Sequence, residues 1–214
     1  MKQETVLITG AAQRLGRAMA LAVAERGHRV ALHYNTSAEP AEKLAHEIRK
    51  AGGTAATVQA NLAEPEEVRG LVSAAAAELA PVTVLVNNAS AFENDGVLTM
   101  TTEGWRHHLT VNTEAPVFLA QAFAAALQEG ANGLIVNMLD EAVLRPGPSY
   151  FSYTVSKAAL AAATEMLAQA LAPQIRVNAI APGLILNSGH PSQEAFERAH
   201  RNTLLGRGPG TDAI

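Results

Sequence analysis

Six short runs of β-branched or apolar residues, at 5–9, 29–34, 54–59, 82–86, 134–138 and 175–178, alternate with segments of helical period at about 14–26, 39–51, 65–79, 102–128 and 151–171. That alternation leaves the chain few folds. Consecutive parallel strands need a crossover between them, and repeating the unit makes an α/β structure with helices over both faces of a parallel sheet. Pro40 and Pro65 fall near the first turns of two helices, where a missing N–H costs nothing. Pro116 falls inside the fourth helix and should kink or split it. The alanine-rich stretches 71–80 and 161–170 read as helix faces packed on the sheet. Past Pro182 the periodicity gives way to a loop, one polar helix and a Gly-rich tail.

Composition removes several classes of function. With 214 residues, 48% of them hydrophobic, the chain can bury one sizeable core, so a single domain over 1–214 is expected. Sixteen Lys and Arg against 20 Asp and Glu give a net charge of −4 without a basic stripe, which argues against nucleic acid as a partner. No apolar run reaches the roughly 18 residues of a membrane span, and the first ten residues enter a strand without a signal-peptide layout. A cytoplasmic protein acting on a small molecule is the expectation. The absence of cysteine excludes a thiolate nucleophile, a disulfide scaffold and a Cys-based zinc site. The seven histidines, His107 and His108 among them, show no metal-ligand spacing, so no metal is expected.

The residues after the strands carry the chemistry. Thr9-Gly-Ala-Ala-Gln-Arg-Leu-Gly16 ends the first strand and opens a helix, so Gly10 and Gly16 allow a tight turn and close approach while Arg14 and Leu15 border the helix start. Amides at such a helix start suit a pyrophosphate. The second strand ends without the Asp or Glu that grips a ribose 2′-hydroxyl. It offers His33, Tyr34, Asn35, Thr36 and Ser37, with Arg14 able to approach, which favours a 2′-phosphate and so NADPH over NADH. Asn87 and Asn88, in the 85–90 segment, can tie strand ends together and line a cofactor slot. Tyr153 and Lys157, four residues apart, share a helix face, and an ammonium there is expected to lower the tyrosine pKa from about 10. A lone Tyr-x-x-x-Lys pair also fits many ordinary helices.

Taken together, 9–16, Asn87–Ser90, Asn112 in 111–116, 153–157 and 175–183 resemble the short-chain dehydrogenase/reductase family over nearly the whole chain. The resemblance implies a Rossmann-like, doubly wound sheet and a nicotinamide cofactor. It implies Tyr153 as proton donor, Lys157 as the group that acidifies it and holds the nicotinamide ribose, and Asn112 as support for a water-linked relay. Further cofactor contacts are implied at Asn61 and Leu62 near the adenine, at Ala89 and Ser90 along the slot, and at Met138, Pro182 and Gly183 near the nicotinamide. It also implies a homotetramer and a substrate loop at about 183–206. Members usually continue through one more helix and strand, so the chain is expected to be truncated or part of a longer product.

One position sets this chain apart within that family. Most members carry a serine thirteen residues before the tyrosine, and here that position is Asp140. An ionised carboxylate only accepts hydrogen bonds and would repel a developing alkoxide, but it can pair with ring N–H groups or help protonate a nitrogen. The sequence is similar to the pteridine reductase branch, which carries an Asp there. That branch implies Phe92 as an aromatic lid over a pterin, with Ser90, Asp140, Tyr153 and Leu184 as further substrate contacts. The expected activity is NADPH-dependent reduction of a dihydropterin or folate-like pterin. The alternatives are a carbonyl or 3-oxoacyl thioester reductase and, less in keeping with the intact Tyr153, Lys157 and Asn112, a dinucleotide-binding protein without activity. Thr36, where some pteridine reductases have Arg, Ile185, where a Ser often meets the cofactor, and Asn61, in place of an Asp, depart from the pattern.

Overall fold

A computed structural model describes residues 3–186, 192–203, 206 and 208–211. Part of the expected substrate loop, residues 187–191 and 204–205, lies outside the described residues. The strands are β1 (Thr5–Ile8), β2 (Arg29–Tyr34), β3 (Thr54–Gln59), β4 (Val84–Asn87), β5 (Gly133–Met138) and β6 (Ile175–Ile180). The helices are α1 (Arg14–Glu25), α2 (Ala38–Lys50), α3 (Pro65–Glu78), α4 (Thr102–Leu109), α5 (Ala115–Ala126), α6 (Phe151–Leu171) and α7 (Gln193–Arg201). The strands form one parallel sheet in the order β3-β2-β1-β4-β5-β6. The order reverses between β1 and β4, and a crevice opens beyond the carboxyl ends of the strands at such a reversal.

The pleat explains the two layers of helices. Successive side chains of a strand point to opposite faces. Val6, Ile8, Val30 and Leu32 therefore pack with Ala20, Leu44 and Ile48 of α1 and α2. Leu7, Ala31, Leu85, Ile135 and Val177 pack on the other side against Val68, Leu71 and Val72 of α3 and Leu119 and Phe123 of α5. α6 adds Leu167, Ala168 and Leu171 to that second core. Among the described residues no helix is long and apolar enough to cross a membrane.

The helix expected over 102–128 is split, and Pro116 accounts for the split. Having no N–H, it cannot serve the carbonyl of Asn112 four residues earlier. The chain widens there into a π-helical turn over Thr110–Glu114, closed by Ala115 N–H donating to the Thr110 carbonyl. This wide turn carries Asn112 inward, where it is fully buried. The polar helix expected in the tail is α7, capped by Ser192 and anchored by the buried Phe196.

Candidate active site

A cleft of about 530 Å³ lies over the β1–β4 reversal. The residues proposed from the sequence to touch cofactor or substrate line it, except Asn87 and Asn112, which are buried and do not reach it.

The end over β1, β2 and β3 is shaped by backbone. Gly10 has φ of 62°, a left-handed conformation that favours glycine. At Gly16 a Cβ would stand 2.2 Å from the Gly10 carbonyl oxygen and 2.8 Å from Asn88 Nδ2, so the α1 start can close on the turn only without a side chain. Arg14 is also left-handed, at φ 52°, without the exemption that glycine enjoys. Gln13, the N-cap of α1, makes no side-chain cap and the first turn holds no acid, so its backbone donors and positive dipole end are left to a ligand. Ser37 likewise caps α2 without a side-chain bond and stands beside Asn35 and Thr36 on the cleft wall. This donor-rich, acid-free lining fits a dinucleotide phosphate.

His33 has a different part from the one its position suggested. The Gly10 N–H donates to His33 Nδ1 at 3.0 Å, which leaves Nε2 to donate to the Ala60 carbonyl at 3.0 Å. Both nitrogens are spent on backbone, so the ring braces the glycine turn and is not free to bind a 2′-phosphate. Burial pushes its pKa down to about 4, only partly opposed by the Ala60 hydrogen bond. Asn61 accepts from Ala63 N–H through Oδ1 while facing the cleft, so part of the acceptor capacity expected for an adenine is used in its own turn. Asn88 ties the strand ends together as its pattern suggested, donating from Nδ2 to the carbonyls of Thr9 and Gly10.

The end over β4, β5 and β6 is held by side chains. Asp140 follows β5 and does two things at once. Its Oδ1 accepts from Ala142 N–H at 2.8 Å, capping a short 3₁₀ turn over Glu141–Val143. Its Oδ2 accepts from the Tyr153 hydroxyl at 2.8 Å. The cap fixes the carboxylate, and the fixed carboxylate orients the phenol. Lys157 is buried beneath them, donating from Nζ to the Met138 carbonyl at 2.8 Å, and its Nζ lies 5.9 Å from the centre of the Tyr153 ring.

Electrostatics correct the expectation for this pair. The Tyr153 pKa is raised, because burial, the Asp140 charge and the hydrogen bond to Asp140 together outweigh the lowering by Arg14. Burial also pushes Lys157 down to about 8, with Asp140 working in the opposite direction. Tyr153 therefore keeps its proton.

The Asn112 side chain is fully engaged. Its Nδ2 donates to the Ala91 carbonyl and to Ser156 Oγ, both at 2.9 Å, while Oδ1 accepts from Ala91 N–H at 2.8 Å and Ser90 Oγ–H at 3.1 Å. Two donors and two lone pairs are all used. The side chain pins the 90–92 segment to α6.

Phe92 sits at the cleft with its ring stacked on Tyr150, centroids 4.7 Å apart and planes 5° apart, and edge-on to Tyr153 at 4.7 Å. Tyr150, seven residues from Lys157 and just ahead of α6, joins this cluster through Phe92. His108 was missed in the sequence. It is buried in α4 and accepts from Glu93 N–H through Nε2 at 3.2 Å, while Nδ1 donates to the Gly104 carbonyl at 3.0 Å.

Comparison with known proteins agrees with this architecture. Residues 4–197 match the short chain dehydrogenase family. The chain is 34% identical over 190 residues to an uncharacterized oxidoreductase from Methylorubrum extorquens, covering 88% of this chain and 76% of the relative. It is 32% identical over 183 residues to a 3-oxoacyl-[acyl-carrier-protein] reductase from Synechocystis sp., covering 85% and 74%. Among solved structures, the FolM alternative dihydrofolate reductase 1 from Brucella canis, complexed with NADP, superposes with a TM-score of 0.95 at 44% identity, covering 98% of this chain and 83% of that one. Its counterpart from Brucella suis, also in complex with NADP, has the same TM-score and identity over 98% and 84%. The chain is a member of the short chain dehydrogenase family.

Proposed function

We propose that the protein is an NADPH-dependent reductase of a dihydropterin or a folate-like pterin. The observation that carries the reading is the Asp140 carboxylate bonded to the Tyr153 hydroxyl at 2.8 Å in a cleft that also holds the Phe92 ring. A carbonyl reductase needs a neutral donor where that carboxylate stands, because an alkoxide forms beside it. A pterin presents ring N–H groups that a carboxylate can accept. The resemblance to reductases solved with NADP supports the choice of cofactor, as does the lack of an acid at the end of β2.

Bound NADPH would supply the hydride. The chain supplies placement and a proton. Phe92, backed by Tyr150, offers a flat apolar surface to a flat heterocycle, a contact of about 0.5–1.5 kcal/mol beyond area burial. Asp140 accepts from the ring N–H groups and so sets the orientation in the plane. Tyr153 holds its proton at Oη until the substrate nitrogen takes it, and Asp140 steadies the phenol meanwhile. Lys157 balances the charge left behind. A homotetramer in the cytoplasm belongs to the same reading, by the family resemblance.

Rates of NADPH oxidation with a 7,8-dihydropterin and with an acetoacetyl thioester decide between this reading and the 3-oxoacyl reductase activity of its relatives. Preference for the dihydropterin is expected, and preference for the thioester would overturn the proposal. Quenching of bound NADPH fluorescence by the dihydropterin should disappear in Asp140→Ser and in Phe92→Ala.

A further inference from the structure

α6 carries both Tyr153 and Lys157, yet it does not cap itself. Tyr150, at its N-cap, is left-handed at φ 53° and makes no side-chain cap. The first N–H groups of the helix are met by the segment Asn94–Asp95, more than fifty residues away in sequence. Tyr150 N–H donates to Asn94 Oδ1 at 3.4 Å and Phe151 N–H to the Asp95 carbonyl at 3.3 Å. Ser152 N–H donates to Asp95 Oδ1 at 3.0 Å, and the Ser152 hydroxyl donates to Asp95 Oδ2. Ser152 is fully buried and is the neighbour of Tyr153.

The same loop carries Phe92, whose ring touches both Tyr150 and Tyr153. Loop and first turn are thus a single unit with two fasteners, the aromatic stack and the Asp95 carboxylate. We propose that Asp95 is a positioning residue that caps α6 from the Phe92 loop and so sets the distance between the Tyr153 hydroxyl, Asp140 and the substrate ring. An ordinary N-cap stabilises one helix. This one ties the loop that carries Phe92 to the first turn of the helix that carries Tyr153. An error of about 1 Å at the reacting groups costs roughly a hundredfold in rate, so the coupling matters to catalysis more than to folding.

The inference rests on Tyr153 and Phe92 working on the substrate as proposed above. The test compares Asp95→Ala, Asp95→Asn and Val72→Ala, the last a core truncation in α3 that lowers stability away from the cleft. Expected is a fall in kcat/KM with the dihydropterin of about tenfold or more in Asp95→Ala, carried mostly by kcat, with NADPH affinity within about twofold of the parent. Asp95→Asn keeps the Oδ1 acceptor and should recover most of the rate, whereas Val72→Ala should leave it near the parent value at temperatures well below its melting point. A loss in Asp95→Ala that Val72→Ala reproduces, or no loss at all, overturns the positioning role.

Amide exchange gives a second, substrate-independent reading. In Asp95→Ala, residues 91–95 and 150–154 should exchange faster together while the rest of α6 is unchanged. Exchange confined to one of the two segments, or unchanged in both, refutes the coupling. If the parent protein turns over no dihydropterin, the functional proposal fails by itself, and the exchange experiment still decides the role of Asp95.

Discussion

The two ends of the cleft are built by different means. Over β1, β2 and β3 the lining is made of backbone in unusual conformations, Gly10 and Arg14 with positive φ and an uncapped α1, braced by a neutral histidine. Over β4, β5 and β6 it is made of side chains that reach across the chain: Asp140 to Tyr153, Asn112 to Ser156, and Asp95 to Ser152. The first end offers donors to any phosphate of the right shape. The second fixes single side chains by hydrogen bonds. A backbone site tolerates exchange of many side chains but not the addition of a Cβ, whereas a side-chain site fails one hydrogen bond at a time.

Variants can break that division or sharpen it. The largest effect is expected for Tyr153→Phe, which removes the proton donor and should lower kcat by about 10²–10⁴-fold while NADPH binds as before. Loss of NADPH affinity in that variant, seen by fluorescence titration, would show that the two ends are not separable. Gly16→Ala is the mirror experiment. Its Cβ meets a backbone oxygen at 2.2 Å, so the turn must shift, and a cost of about 1–3 kcal/mol should appear as roughly ten- to hundredfold weaker NADPH binding.

His33 tests the brace by pH. Its folded pKa, near 4, lies below the 6.5 of an exposed imidazole, so the unfolded chain binds more protons between those values. Stability should rise with pH from about 4 to 6.5 and be lost on acidification through the same window, by about 3 kcal/mol in all. Urea unfolding of the parent and of His33→Gln at both ends of the window measures this. An unchanged pH dependence in the variant would mean that the ring is not held neutral.

The smallest effect belongs to Arg14→Gly. Relief of a left-handed arginine, about 1–2 kcal/mol, is largely offset by the added freedom of glycine in the unfolded chain, about 0.5–1 kcal/mol. The melting temperature should hold or rise slightly. NADPH affinity should nevertheless fall, because the guanidinium is lost. A variant that is more stable and binds NADPH as well as the parent would remove Arg14 from the site.

The difference between the two ends also explains what could be read in advance. The bounds of β2, β3 and α6 agree with their patterns, and α1 and α3 end one residue earlier, because period and proline placement act within a few residues. Thr9–Gly16 was legible for the same reason: a glycine turn is a local event. Asp140 stood out because it occupies the place where most members of the family carry a serine. Asp95 left no such mark. It lies 57 residues from Ser152, and only the folding of the 92–100 loop onto α6 makes it a cap. The direction of the Tyr153 pKa was misjudged because Lys157 is near in sequence, whereas burial and the Asp140 charge exist only in the folded cleft.

The chain by itself determined the alternation of strands and helices that makes a parallel sheet, and the residue types at the strand ends, because those follow from residue periodicity and from glycine and proline geometry. Only the tertiary structure decided that His33 braces a turn, that the Asn112 side chain has nothing left to give, and that a distant aspartate caps α6. Desolvation and long-range hydrogen bonds depend on what surrounds a group in space, and no local pattern encodes them.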